Sequence, residues 1–498
     1  MKKIGLLIIL VMSHIGIIAQ SSSYFVKSTP EAEGISSASI IEFIDQLEQE
    51  IDAVHSFMII RHGKLISRGW WDPYGSEIPH VVNSLSKSFT STAIGFAVQE
   101  KLLSLNDLVI SFFPDKVPED TSWQWNEMRV RDLLTMNTGH INEPRARGED
   151  DWVKFFLESK VELMPGTVFK YNSMATFMLS AIIQKITGEK LVDYLYPRLF
   201  QPLKINKPDW DTSPMGINTG GWGLHIVTED IAKLGQLYLQ NGMWEGEQLL
   251  SEEWVAMATS KQVPNGSNPD NDWTQGYGFQ FWRCRNNCYR GDGAMGQFCI
   301  VMPEKDAVVA ITSGTNDMGG IMNIVWEVLL PAMQDETLPA NDEAFSSLEK
   351  KTAGLKLKPV SGKMTSVISR KISKNKFQIN ENEMGVKSIK FNVHGKNPSI
   401  DIEMGNSIKT IVIGTNNYQK SEMETLLPYT DNLEEKMAVS GAWTDVNEYT
   451  VKIYFYESPA RMTYTFSFIN GGLIWDSKLE NALFGRRELE PLKGSIGG

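Results

Sequence analysis

Residues 85–98 read as a helix that is apolar on nearly every side, and this stretch limits the possible folds more than any other. Leu85, Phe89, Ala93 and Phe96 form one stripe at helical spacing, while Ile94, Ala97 and Val98 cover much of another. A helix apolar over most of its circumference belongs in a core. Ser84 and Lys87 stand at its start, three residues apart and so on one helical face. Burial disfavours a charged lysine, and a neutral amine beside a serine hydroxyl can accept its proton. The pair therefore points to covalent chemistry at the mouth of a buried helix, where the helix dipole favours a developing oxyanion. Spacing alone does not make that argument, because Ser347/Lys350 and Ser373/Lys376 share it. Those two lie in charged or polar segments with no apolar helix to bury a lysine, and are expected to be surface pairs.

The 498 residues are enough for two or three domains, and 42% hydrophobic with 22% charged residues describes a globular chain. Net charge is -12 with no basic block, which argues against a nucleic-acid partner. Lys2 and Lys3 precede an apolar run, and small or polar residues surround Ala19, Gln20 and Ser21. That pattern reads as a secretory signal peptide over residues 1–20, and hence as export to the periplasm or medium. An N-terminal membrane anchor is the alternative, but the apolar run is short for one. No later stretch approaches the ~20 apolar residues a span needs. Cys284 and Cys288 flank a short turn and could form a local disulfide; three unpaired thiols fit the spacing equally well. The seven histidines show no ligand pair at helical spacing, so neither metal nor cofactor is expected.

Alternation predicts a hairpin over residues 55–71, turning at His62-Gly63, and another over residues 298–312. Helices are predicted over residues 38–49, 177–187, 228–239 and 321–333. Strands at both ends of this region, with helices between, describe an α+β domain over residues 21–340: one antiparallel sheet carrying a helical insertion. Residues 341–355 read as a charged linker. Residues 356–498 alternate in short segments separated by Gly and Asn turns, a C-terminal all-β sandwich or barrel.

Two further elements join Ser84 and Lys87: Tyr171-Asn172-Ser173 ahead of a helix, and Gly293-Ala294-Met295-Gly296-Gln297 ahead of a strand. With residues 102–108, 130–139 and 220–224 in support, the chain resembles the serine β-lactamase and penicillin-binding protein superfamily. It looks most like class C β-lactamase-related hydrolases, which include esterases and 6-aminohexanoate-dimer hydrolase. The resemblance implies Ser84 as nucleophile, Lys87 as its base and Tyr171 as a proton relay that depends on the Lys87 charge. It also implies an oxyanion hole from the main-chain N–H groups of Ser84 and Gln297, with the Gln297 side chain free to vary. Ser173 and Trp222 are further candidates for the substrate pocket, and His140 and His225 are read as structural.

Two departures from the family pattern bear on substrate. Ala294-Met295-Gly296 replaces the family's Lys-Thr-Gly or His-x-Gly, and Ser173 replaces an Asn, with a shorter reach. An alanine offers no charge to a β-lactam or peptide carboxylate, so the expected substrate is a small neutral ester or amide. The alternatives are a β-lactamase or D-amino-acid peptidase, and a silent ligand-binding relative. Arg290 and Asp292 precede the triplet and are read as either a source of polarity or a solvated hairpin tip.

Overall fold

The computed structural model describes residues 23–146, 148–395, 397–424, 434–481 and 490–497, so the expected leader lies outside the described residues. Strand β1 (Val54–Arg61) shows why the first sheet is internal. Met58 and Ile60 point into one apolar cluster and Phe57 and Ile59 into another, so both faces are covered and all eight residues are buried. The chain reverses through His62 and Gly63, both at positive φ (50° and 69°), as hairpin twist prefers. It returns as β2 (Lys64–Trp70). Strands β3 (Trp282–Arg283), β4 (Tyr289–Gly293), β5 (Gln297–Met302) and β6 (Ala307–Ser313) complete an antiparallel sheet of order β2-β1-β6-β5-β4-β3.

Helix α1 (Ser37–Glu50) covers one face, with Ile40, Phe43 and Leu47 against Phe57 and Ile59. Helices α2 (Ser86–Gln99), α3 (Ser173–Thr187) and α4 (Thr228–Leu239) share the opposite cluster. All twelve residues from Ser86 to Ala97 are buried, and the hydroxyls among them are satisfied inside the core: Ser88 donates to Gln280 O at 3.0 Å, Thr90 to Gly220 O at 2.8 Å and Ser91 to Phe279 O at 2.7 Å. Helix α5 (Met318–Ile324) sits on the α1 side.

Residues 341–355 depart from the expected linker by forming helix α6 (Asp342–Ala353). Asn341 caps its first turn, acidic residues begin it and Lys350 and Lys351 end it, the order the helix dipole favours. Leu348 inserts into the α1-side core, and Lys351 reaches Asp45 and Glu48, each at 2.6 Å. Ser347 and Lys350 are exposed on this helix. Ser373 is used locally, accepting the Val393 N–H at 3.1 Å, while Lys376 pairs with Glu403 at 2.7 Å.

The C-terminal strands are β7 (Lys376–Ile379), β8 (Val386–Asn392), β9 (Ser399–Met404), β10 (Ser407–Val412), β11 (Gln419–Glu424), β12 (Glu434–Asp445), β13 (Glu448–Phe455), β14 (Arg461–Ile469), β15 (Gly472–Glu480) and β16 (Leu492–Ile496). They form one sheet of order β10-β9-β8-β7-β16-β15-β14-β13-β12-β11, a near-closed barrel. Strict in–out alternation along β14 fills it with aromatic side chains, among them Phe466, whose ring is tilted against Trp475 at 5.3 Å. The barrel sits directly on the first domain. Glu457 O, in the β13–β14 turn, accepts the Val81 N–H at 2.8 Å, three residues before Ser84. Asn481 Nδ2 donates to Gly314 O, just beyond β6. Arg461 bonds Asp52 at 2.6 Å.

Candidate active site

A single 3₁₀ turn, Asn83–Leu85, leads into α2 and presents Ser84 half-buried at its mouth. Asn83 holds φ = 47°, a left-handed conformation that asparagine tolerates better than most residues. Its Nδ2 donates to Ala294 O at 2.8 Å, tying the serine turn to the β4–β5 loop. The two backbones nearly touch: a Cβ on Gly293 would stand 2.2 Å from Val82 O, so only glycine fits.

Lys87, 2% exposed on the first turn of α2, lies 3.2 Å from Ser84 Oγ. Its Nζ also reaches Ser173 Oγ at 3.2 Å and Gly221 O at 2.7 Å. Desolvation pulls its pKa from 10.5 down to about 7, against a smaller upward pull from Glu143 and Asp292. Near neutrality, then, the amine is often uncharged. Its two N–H bonds match Gly221 O and Ser173 Oγ, leaving the lone pair for the Ser84 hydroxyl.

Tyr171 lies beside Ser84, which acts to lower its pKa, and its ring stacks on Trp282 at 5.6 Å. Burial, reinforced by Asp292, drives its pKa far above the usual phenol value. Lys87 Nζ lies over its ring, 4.9 Å from the centroid. Burial and Asp292 thus favour the neutral phenol, opposite in direction to the lowering expected from the Lys87 charge.

The structure thus brings Ser84, Lys87, Tyr171 and Ser173 together, and the side chain of Ser173 is long enough for Lys87. Trp222 follows Gly221 directly; its half-buried ring packs 5.8 Å from Trp152. Gln297 opens β5 opposite Gly293, but its side chain is not free to vary. It is fully buried, and Nε2 donates to Ser313 O at 2.7 Å and Met295 O at 3.2 Å, bracing the loop from behind. Nor are Arg290 and Asp292 a solvated tip. Arg290 is fully buried near Trp273 and Trp282, bonding Asp292 Oδ2 through Nε at 3.0 Å and Nη2 at 2.8 Å. Its Nη1 bonds Asp272 O at 2.9 Å and Cys284 Sγ at 3.1 Å. All three cysteines are free and buried.

Glu143 escaped sequence reasoning. Its Oε1 accepts the Ser173 N–H at 2.6 Å, on the first turn of α3. The nearest signal was an acidic residue shortly after the 130–139 segment, too common to single out. His140 is held by Thr138 and Ser159, both at 2.8 Å, and His225 faces Asp211 at 3.4 Å. Among the described residues no His/Cys/Asp/Glu group could hold a metal ion, and no helix is long and apolar enough to cross a membrane.

Residues 44–328 match the family model described as Beta-lactamase. The chain belongs to the beta-lactamase family. A 6-aminohexanoate-dimer hydrolase of Paenarthrobacter ureafaciens is 21% identical over 300 residues, covering 55% of this chain and 76% of the relative. A beta-lactamase of Escherichia coli K12 is 26% identical over 145 residues, covering 28% of this chain and 37% of the relative. A solved structure from Bacillus anthracis, provisionally assigned as a 6-aminohexanoate-dimer hydrolase, aligns with TM-score 0.53 at 20% identity. It spans 64% of this chain and 89% of that one. The expected α+β domain of beta-lactamase type, followed by an all-β domain, is the fold observed.

Proposed function

We propose that the chain is an exported serine hydrolase that cleaves an ester or amide bond through an acyl-enzyme on Ser84. The observation that carries this reading is the buried Lys87 amine, 3.2 Å from Ser84 Oγ with a pKa of about 7. Neutral Lys87 takes the hydroxyl proton as Ser84 Oγ bonds to the substrate carbonyl carbon. The main-chain N–H groups of Ser84 and Gln297 receive the carbonyl oxygen, at the N-terminal end of α2; such donors typically contribute ~3–4 kcal/mol to the transition state. Tyr171, a neutral phenol beside Ser84, passes a proton to the departing alcohol or amine, and Lys87 reprotonates it. Water then adds to the acyl group by the same route in reverse, releasing the acid and restoring Ser84.

Ala294, where relatives carry a cation, favours a substrate without a carboxylate at that point. Export rests on the leader pattern of residues 1–20. The test is labelling of the mature protein with a fluorophosphonate, beside Ser84→Ala and a panel of p-nitrophenyl esters and anilides. Labelling that requires Ser84, with turnover of at least one panel member, supports the reading. Labelling that persists in Ser84→Ala would refute it.

A further inference from the structure

Val367 is 89% exposed, the most of any large apolar side chain among the described residues. Met364, Val446 and Ile469 are each more than half exposed as well. Three separate segments carry these four side chains, and the barrel brings them to one end. The β13–β14 turn holds Val81 of the first domain, so in antiparallel order the β12–β13 and β14–β15 turns lie at the far end. Residues 364–374 close the mouth there: the four-residue helix Ser369–Ile372 sets Ile372 into the barrel core. Ser366 Oγ donates to Val446 O at 2.6 Å, and the Phe468 N–H donates to Asn447 O at 2.8 Å, which draws the three segments side by side.

Cations stand among these side chains. Lys363, Arg370, Lys371 and Lys374 are exposed on the mouth segment, and none has an ion-pair partner among the described residues. They are spaced too widely to read as a basic block, yet no acidic residue falls between Glu349 and Glu381. That excess is local, since the chain as a whole carries a net charge of -12. The carboxylates on the adjoining turns are Asp445, which accepts the Val446 N–H, and Glu448, which accepts the Thr444 hydroxyl. Apolar tips set between unpaired cations match a surface that offers hydrocarbon beneath a layer of negative charge. A second copy of this chain would set cation against cation, and a soluble polyanion would leave the apolar tips in water.

We infer that the far end of the barrel docks on anionic phospholipid bilayers, with Met364, Val367, Val446 and Ile469 entering the headgroup layer and the four cations meeting lipid phosphates. The docking is independent of hydrolysis at Ser84, but it sets the height of the candidate active site. Ser84 follows Val81 at the opposite end of the barrel, and a nine-residue strand such as β14 spans up to about 30 Å. The site therefore stands clear of the bilayer, and its substrates arrive from solution.

The test is co-sedimentation of the mature full chain with vesicles of phosphatidylcholine alone, and of phosphatidylcholine mixed equally with phosphatidylglycerol. Binding is expected only to the mixed vesicles, and should weaken as salt rises. Each cation near a charged bilayer contributes about fivefold to affinity, so Arg370→Gln combined with Lys371→Gln should weaken binding about 25-fold. Val367→Ser combined with Val446→Ser should weaken it about tenfold and leave the salt dependence unchanged. All four positions are exposed, so both double variants should keep the wild-type Tm. No binding to the anionic vesicles, equal binding to both compositions, or full affinity in either double variant would each overturn the inference. So would a dimer in sedimentation velocity that Val367→Ser disperses, because it assigns the apolar tips to a second copy.

Discussion

Replacing Lys87 with methionine should stabilise the protein while abolishing its labelling at Ser84, and the stabilisation should depend on pH. The folded pKa of Lys87 is about 7, against 10.5 for the free side chain. Below pH 7 both states are protonated, and the native state carries the full cost of a buried charge. At about 1.36 kcal/mol per pH unit, the 3.5-unit gap amounts to about 5 kcal/mol. As pH rises through 7 the folded lysine loses its proton before the unfolded one does, so the cost declines and vanishes near 10.5. At pH 9 about 2 kcal/mol of it remains. Methionine keeps the bulk but leaves Gly221 O without its donor, which costs about 1–3 kcal/mol at every pH. That constant cancels when two pH values are compared. The stability advantage of Lys87→Met over wild type should therefore be greater at pH 6 than at pH 9, by about 3 kcal/mol. Urea unfolding followed by tryptophan fluorescence, at both pH values, measures it. Acylation of wild type should rise with pH through the same point, near 7, because the neutral amine is the acceptor. A stability difference that is flat between pH 6 and pH 9 would refute a depressed lysine pKa, whatever the activity shows.

Other substitutions separate the remaining parts. Tyr171→Phe should lower kcat on anilides about a hundredfold or more, the usual worth of a positioned proton donor, with a smaller effect on p-nitrophenyl esters, whose leaving group needs no proton; equal losses on both would remove the relay role. Gln297→Ala removes the side-chain donor to Ser313 O in the core, and should cost about 1–3 kcal/mol of stability by denaturant titration. Asn481→Ala frees Gly314 O from the barrel. Because Ser313 Oγ and the Thr315 N–H hold the carbonyl of Met295, the rate of Ser84 labelling should fall. Arg461→Gln, which breaks the Asp52 ion pair elsewhere on that seam, should lower Tm alone.

Periodicity made the fold legible wherever burial follows sequence locally. The broad apolar surface of α2 placed it in the core, and the alternation of β14 gave its two faces. The 341–355 segment misled because its charges, read as linker composition, are arranged in helical order, with a single buried leucine to anchor it. At the site, the residues that could be named in advance sit in short motifs with their own backbone geometry. Those that could not were defined by distance through space. Glu143 matters because it caps Ser173, thirty residues on; Gln297 matters because its amide meets a strand sixteen residues away. Arg290 looked like a surface charge because nothing in its neighbourhood of sequence announces Trp273, Asp272 and Cys284, which together bury it.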